Sequence, residues 1–85
     1  AVTSWDKSYL YGSHFIKVLQ QYLNDHGYSC GRYGVDGYLG RDTIKAVQRY
    51  LQAKGYDIGS YGVDGYLGNS TARSLQQSLN DDAWE

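Results

Sequence analysis

The chain has 85 residues, eight Lys and Arg against nine Asp and Glu, and a net charge of −1. One small domain with a thin core is the prior for that length, and the single cysteine, Cys30, excludes an internal disulfide as reinforcement. Scattered, nearly balanced charge argues against nucleic acid, which demands clustered cations, and no apolar run approaches the roughly 18 residues that a membrane span takes.

No signal peptide is visible, and the chain begins at Ala1, so a processed product or an excised domain of a larger protein is expected. Proline is absent, while ten tyrosines stand against one phenylalanine. A core has little use for so many hydroxyls, and the excess points to a contact surface of flat, amphipathic rings.

Residues 1–12 read as a lead-in. Trp5, Tyr9, Leu10 and Tyr11 lack clean periodicity, and Gly12 closes the segment. From Ser13 to His26, the residues Phe15, Ile16, Leu19, Tyr22 and Leu23 recur at three- and four-residue spacing and make one apolar helical face. Ser13 is the candidate N-cap, and Gly27 the left-handed C-cap. A second helix is predicted over Arg41 to Lys54, with Ile44, Val47, Tyr50 and Leu51 inward and Gly55 as its stop. A third runs from Asn69 to Asn80, with Ala72, Leu75 and Leu79 inward. Residues 81–85 read as a tail, from which Trp84 is expected to fold back onto the body.

Between the helices lie two loops that share eight residues letter for letter. Tyr33-Gly34-Val35-Asp36-Gly37-Tyr38-Leu39-Gly40 recurs as Tyr61-Gly62-Val63-Asp64-Gly65-Tyr66-Leu67-Gly68. The Asp-Gly pair signals a turn, because Gly accepts positive φ and Asp bonds its own nearby backbone. The register extends beyond the octapeptide with a period of 28 residues: Gly27, Tyr28, Thr43, Gln48 and Leu51 match Gly55, Tyr56, Thr71, Gln76 and Leu79. It also reaches backwards, since Gly12, Ile16, Gln20 and Leu23 match Gly40, Ile44, Gln48 and Leu51. Three loop–helix units follow, the first without its Asp-Gly loop. A single unit cannot bury its own helix face, so an all-α, three-helix bundle built from these repeats is expected.

Val18-Leu19-Gln20-Gln21-Tyr22-Leu23, then Gly27-Tyr28, Asp36-Gly37-Tyr38-Leu39-Gly40, Thr43 and Ala46-Val47, resembles the peptidoglycan-binding domain of cell-wall hydrolases and phage endolysins. The resemblance covers residues 13–79. The repeated Asp-Gly-x-x-Gly-x-x-Thr is its most specific part. The chain departs from the family pattern at Leu39 and Leu67, which stand where an aromatic residue is usual, at Tyr50-Leu51 in place of Phe-Gln, and at Ala72 in place of tryptophan. The resemblance implies a small three-helix domain over residues 13–80, flanked by the lead-in and the tail. It also implies no catalysis, no cofactor, and a targeting role for an attached muramidase, amidase, peptidase or endolysin. The implied place of action is the cell wall, reached from outside or, for a phage endolysin, from the host cytoplasm. A monomer is expected.

Peptidoglycan presents sugar faces that stack on aromatic rings and peptide stems rich in hydrogen-bonding groups. Arg32, Tyr33, Asp36, Tyr38 and Arg41 in the first loop, with Ser60, Tyr61, Asp64, Tyr66 and Asn69 in the second, supply that mixture and are the candidate binding residues. Each also has a structural reading. Asp36 and Asp64 fix the turn. Tyr38 and Tyr66 alternate with inward leucines and so face outward. Tyr28 and Tyr56 pack as cap contacts, Tyr50 belongs to the core, and Thr43 and Thr71 serve the first helical turn. Cys30 aligns with Ile58 and reads as a small buried hydrophobe.

Enzymatic and metal-site readings find little support. His26 and Cys30 are four residues apart, but Gly27 breaks the helix between them and no second ligand pair exists. The Asp-Gly loops lack the alternating carboxylates and final Glu of an EF-hand, and Ser70 replaces Asp42 in the second copy. No Gly-Lys-Ser/Thr follows either loop, so neither cradles phosphate. The other reading that fits is a protein-interaction module of a cell-envelope or spore-coat assembly, whose site would be one contiguous apolar patch.

Overall fold

The computed structural model describes residues 13–32, 34–81, 83 and 84. The expectations for residues 1–12, and for Tyr33, lie outside them. Three helices in chain order make up the regular structure: α1 (Ser13–Asp25), α2 (Arg41–Ala53) and α3 (Asn69–Asn80). No strand occurs among the described residues. α2 packs against both of the other helices.

The helices start and stop where local chemistry predicts, to within a residue. Ser13 is itself the first helical residue rather than the cap. At the other end of α1, Gly27 adopts φ +86. Its N–H donates to the Asn24 carbonyl at 3.2 Å, and the Tyr28 N–H donates to the Leu23 carbonyl at 2.7 Å. This double closure satisfies two carbonyls that a helix end otherwise leaves open. α2 ends the same way: Gly55 at φ +89 places its own N–H on Gln52 O and that of Tyr56 on Leu51 O. The turn also swings Tyr28 and Tyr56 back against the core, where both are half-buried.

The core is the sum of the three apolar faces. Phe15, Ile16, Leu19 and Leu23 from α1 meet Ala46, Val47, Tyr50 and Leu51 from α2 and Leu75 from α3. Cys30 and Ile58 enter from equivalent places in the two loops, both buried. Ile44, Ala72 and Leu79 are only half-buried.

Trp84 is folded back and 1% exposed. Its indole N–H donates to Ser78 Oγ at 2.9 Å. Its ring lies 4.2 Å from that of Tyr50 and 5.3 Å from that of Tyr22. Tyr50 also meets Tyr22 and Tyr28 edge-on, at 5.6 and 5.4 Å between centroids. Its hydroxyl donates to the Ala83 carbonyl and lies 3.1 Å from that of Tyr22. Burial first, and the Tyr22 hydroxyl second, push the Tyr50 phenol up, so it stays protonated and able to donate.

Trp84→Ala removes the largest buried side chain of this cluster and takes away the indole donor to Ser78, whose hydroxyl keeps only its bond to the Leu75 carbonyl. The expected cost is about 3–5 kcal/mol, a large share of the roughly 5–15 kcal/mol available to a small domain. Urea unfolding should show it as a lower midpoint. A change below about 1 kcal/mol would mean that the C-terminal turn contributes little to the fold.

Candidate functional site

Each loop is hung on one buried glutamine. Gln20 on α1 is 0% exposed and Gln48 on α2 is 1% exposed. An amide carries two donors and an acceptor oxygen, and burying it costs several kcal/mol unless all are used. Gln20 uses them all. Its Oε1 accepts the N–H groups of Asp36 and Gly37, each at 2.9 Å. Its Nε2 donates to Asp36 Oδ1 and Thr43 Oγ1 at 2.9 Å, with the Tyr38 carbonyl at 3.1 Å. The backbone donors can face only the oxygen, so the orientation of the amide is fixed.

The second loop repeats the pattern bond for bond. Gln48 Oε1 accepts from Asp64 and Gly65 at 3.0 and 2.9 Å. Gln48 Nε2 donates to Asp64 Oδ1 at 2.8 Å, Thr71 Oγ1 at 3.1 Å and the Tyr66 carbonyl at 3.2 Å. Sequence reasoning assigned no role to these glutamines. The available signal was their register, with Gln20, Gln48 and Gln76 each 28 residues apart.

Asp36 and Asp64 hold the turns, as expected of their Asp-Gly context. Beyond the glutamine amide, each Oδ1 accepts the N–H two residues on, from Tyr38 or Tyr66, at 3.0 Å. The glutamine donor first, and that N–H second, hold both carboxyls below the usual range. Both side chains are exposed, and Oδ2 takes no part in either network.

The tyrosines stand outside this frame. Tyr38 and Tyr66 are each 72% exposed, and Tyr61 is 88% exposed. Their neighbours Leu39 and Leu67 are half-buried, as alternation predicts. Tyr38 and Tyr66 nevertheless do not swing freely. Each ring lies across the glycine two residues on, so a Cβ on Gly40 would stand 2.8 Å from Tyr38 Cε2, and one on Gly68 would stand 3.1 Å from Tyr66 Cε2. Glycine there lets the ring rest on the backbone at the start of the next helix. Gly40 and Gly68 are extended N-caps with no side-chain cap bond.

Tyr61, Asp64, Tyr66 and Asn69 line one groove of about 280 Å³, together with Ser60 and Ser70. In the first loop Arg32, Asp36 and Tyr38 are exposed. Arg41, also exposed, begins α2, yet the stem of its side chain packs against Gly65 of the second loop. A second, narrower cleft among Phe15, Ile16, Leu19, Leu67 and Leu75 is apolar and belongs to the seam of the helices.

His26 and Cys30 do not converge. The His26 ring stacks on Tyr22 at 3.9 Å between centroids, and its Nδ1 lies 2.8 Å from the Tyr22 carbonyl. Cys30 is buried, with its thiol directed at the Gln20 carbonyl at 3.8 Å. Burial pushes the thiol up, which keeps it out of the reactive thiolate form. No group of three or more metal-binding side chains occurs among the described residues. None of the helices among them is long and apolar enough to cross a membrane.

A family model for the peptidoglycan binding domain matches residues 13–50, which take in α1, the first loop and most of α2. Over these residues the chain carries the family's pattern, as its first Asp-Gly loop led us to expect, and the match supports peptidoglycan binding in general. Neither curated proteins nor solved structures give a significant match.

Two expectations follow from the loop networks. Gln48→Ala leaves the part-buried Asp64 and Gly65 amides without their acceptor, at a cost below the roughly 1–3 kcal/mol of a fully buried orphan. Hydrogen exchange should speed up at those two amides while Asp36 and Gly37, held by Gln20, stay protected. Equal loosening of both loops would contradict independent anchoring.

The depressed carboxyls of Asp36 and Asp64 make stability depend on acid. Their contribution is complete above the unfolded Asp range, about 3.9, and is lost as pH falls through the lower folded values. The melting temperature should hold steady above about pH 5 and drop below about pH 4. Asp36→Asn with Asp64→Asn should flatten that drop, and an unchanged acid slope would rule out these two groups as its source.

Proposed function

We propose that this chain is a non-catalytic wall-binding module that targets an attached lytic enzyme, such as a phage endolysin or a bacterial murein hydrolase, to the bacterial wall. The module comprises residues 13–80, read as loop–helix units, with residues 1–12 as a lead-in and residues 81–85 as a tail. Its ligand is held by the loops, through Arg32, Tyr33, Asp36, Tyr38 and Arg41 in the first and Tyr61, Asp64, Tyr66 and Asn69 in the second. The place of action is the cell wall.

One observation carries this reading. The loop inside the family match is reproduced 28 residues later with the same hydrogen bonds, and each copy holds an exposed tyrosine on a fixed support. Rigid aromatic rings beside unspent polar groups suit a polymer of sugars and short peptides, because little freedom is lost on binding. Two such loops on one small body also suit a repetitive ligand, since a second contact benefits from the effective concentration set by the first.

Sedimentation with insoluble sacculi tests the proposal. The folded domain should co-sediment with sacculi of at least one Gram-positive or Gram-negative species. Tyr38→Ala with Tyr66→Ala should lower the bound fraction by about tenfold in affinity while circular dichroism stays unchanged. A folded domain that sediments with none of the walls would overturn the reading, and the search would turn to a protein partner of the cell envelope.

A further inference from the structure

The two loops share eight residues but not their surroundings, and the difference is chemical. The first carries Arg32, Arg41 and Asp42 where the second carries Ser60, Asn69 and Ser70. In the second copy these positions line one groove with Tyr61 and Tyr66. Arg32 and Asp42 stay with the first loop, where their counterparts Ser60 and Ser70 are neutral hydroxyls, while the stem of Arg41 packs against Gly65 of the second. Packing sharpens the contrast. The Asp42 carboxylate lies directly over Gly31, whereas the smaller hydroxymethyl group of Ser70 lies over Gly59, where an added Cβ would stand 3.2 Å from its Oγ.

Ser60, Asn69 and Ser70 line a groove of about 280 Å³. It lies just below the roughly 300–1,000 Å³ usual for small-molecule clefts, which suits one ring of a polymer. Tyr61 and Tyr66, both largely exposed, provide aromatic faces. Ser60, Asn69 and Ser70 provide neutral donors and acceptors. Asp64 is the sole carboxylate of the lining, and the lining holds no Lys or Arg to offset it. Its Oδ1 is consumed by Gln48 and the Tyr66 N–H, so Oδ2 is the oxygen left to accept a ligand proton.

We infer that the second-loop groove, on the wall-binding reading above, takes an uncharged N-acetylated sugar ring of the glycan strand rather than the stem peptide. A pyranose offers an apolar C–H face to Tyr61 or Tyr66 and, at its edge, hydroxyls that donate to Asp64 Oδ2. Its ring hydroxyls and acetamido carbonyl are acceptors for Ser60, Asn69 and Ser70. A stem carboxylate meets Asp64 as a like charge, and the cations packed at this loop, Arg41 and Lys45, lie against Gly65, which is not part of the lining. A stem ammonium finds one carboxylate oxygen and no second anion.

The first loop supplies the control for the second. Ser60→Arg, Asn69→Arg and Ser70→Asp together give the second loop the residues that its twin already carries in a folded state, and Gln48, Asp64 and the tyrosines are untouched. Three measurements on the whole chain decide the matter. Sacculi binding is measured in competition with an N-acetylglucosamine tetrasaccharide, and separately with free stem peptide. ¹⁵N chemical shifts are followed with each soluble probe. The tetrasaccharide should compete, with shifts centred on residues 58–71, and the triple variant should lose affinity for it by about tenfold with an unchanged dichroism spectrum. Sacculi binding that only the stem peptide displaces would overturn the glycan assignment and leave the wall-binding reading in place. A triple variant that still binds the tetrasaccharide fully would overturn the placement in this groove. A folded domain that binds no sacculi would overturn both.

Discussion

A single buried amide per loop is the constraint on which the rest of the structure rests. Gln20 and Gln48 stand on helix faces otherwise given to Leu, Ile and Val, and each offers its loop one acceptor oxygen and two donors. A glutamate there would have no donor for the Asp carboxylate, the Thr hydroxyl or the Tyr38 or Tyr66 carbonyl. A lysine would have no acceptor for the two backbone N–H groups. The letters of the octapeptide answer this amide in turn: Asp supplies an N–H and a carboxylate oxygen, Gly an N–H close to the helix, Tyr a carbonyl, and the Thr three residues past the motif a hydroxyl. The repeat is therefore conserved within the molecule at the places that face inward as hydrogen-bond partners.

That frame decouples the outside of the loop from its fold. With the backbone fixed from within, Tyr38, Tyr61 and Tyr66 are free of structural duty and project into solvent. Two of them are further steadied by lying across Gly40 and Gly68. Recognition groups held on rigid support lose little entropy when a ligand arrives. The same arrangement lets the flanking residues change, so Arg32, Arg41 and Asp42 before and after one copy answer to Ser60, Asn69 and Ser70 at the other.

The remaining tyrosines do a different job, and here the excess of rings read from the composition divides in two. Tyr22, Tyr28, Tyr50 and Tyr56 pack on the core rather than the surface. Their hydroxyls reach polar partners at its edge: Tyr50 reaches Tyr22 and the Ala83 carbonyl, and Tyr56 donates to Asp81 at 2.7 Å. A bundle of three helices of 12 or 13 residues buries little apolar area. Large rings with a polar tip let the open end of such a bundle be closed without stranding a backbone carbonyl. Trp84 completes that closure from beyond the last helix.

The sequence by itself determined the local structure. Helix spans, the Gly27 and Gly55 stops, the turns at Asp36 and Asp64, the burial of Tyr50 and Cys30, and the exposure of Tyr38 and Tyr66 all depend on periodicity, capping and turn chemistry among near neighbours. The tertiary structure alone decided three things. Gln20 and Gln48 are buried, which no polarity pattern foretells, because the groups that compensate them lie 16 to 23 residues away. Arg41, next to the first loop in sequence, packs on the second. Of the candidate binding residues, the five of the second loop gather in one groove, since its lining depends on which side chains the packing of α3 against that loop brings to one surface.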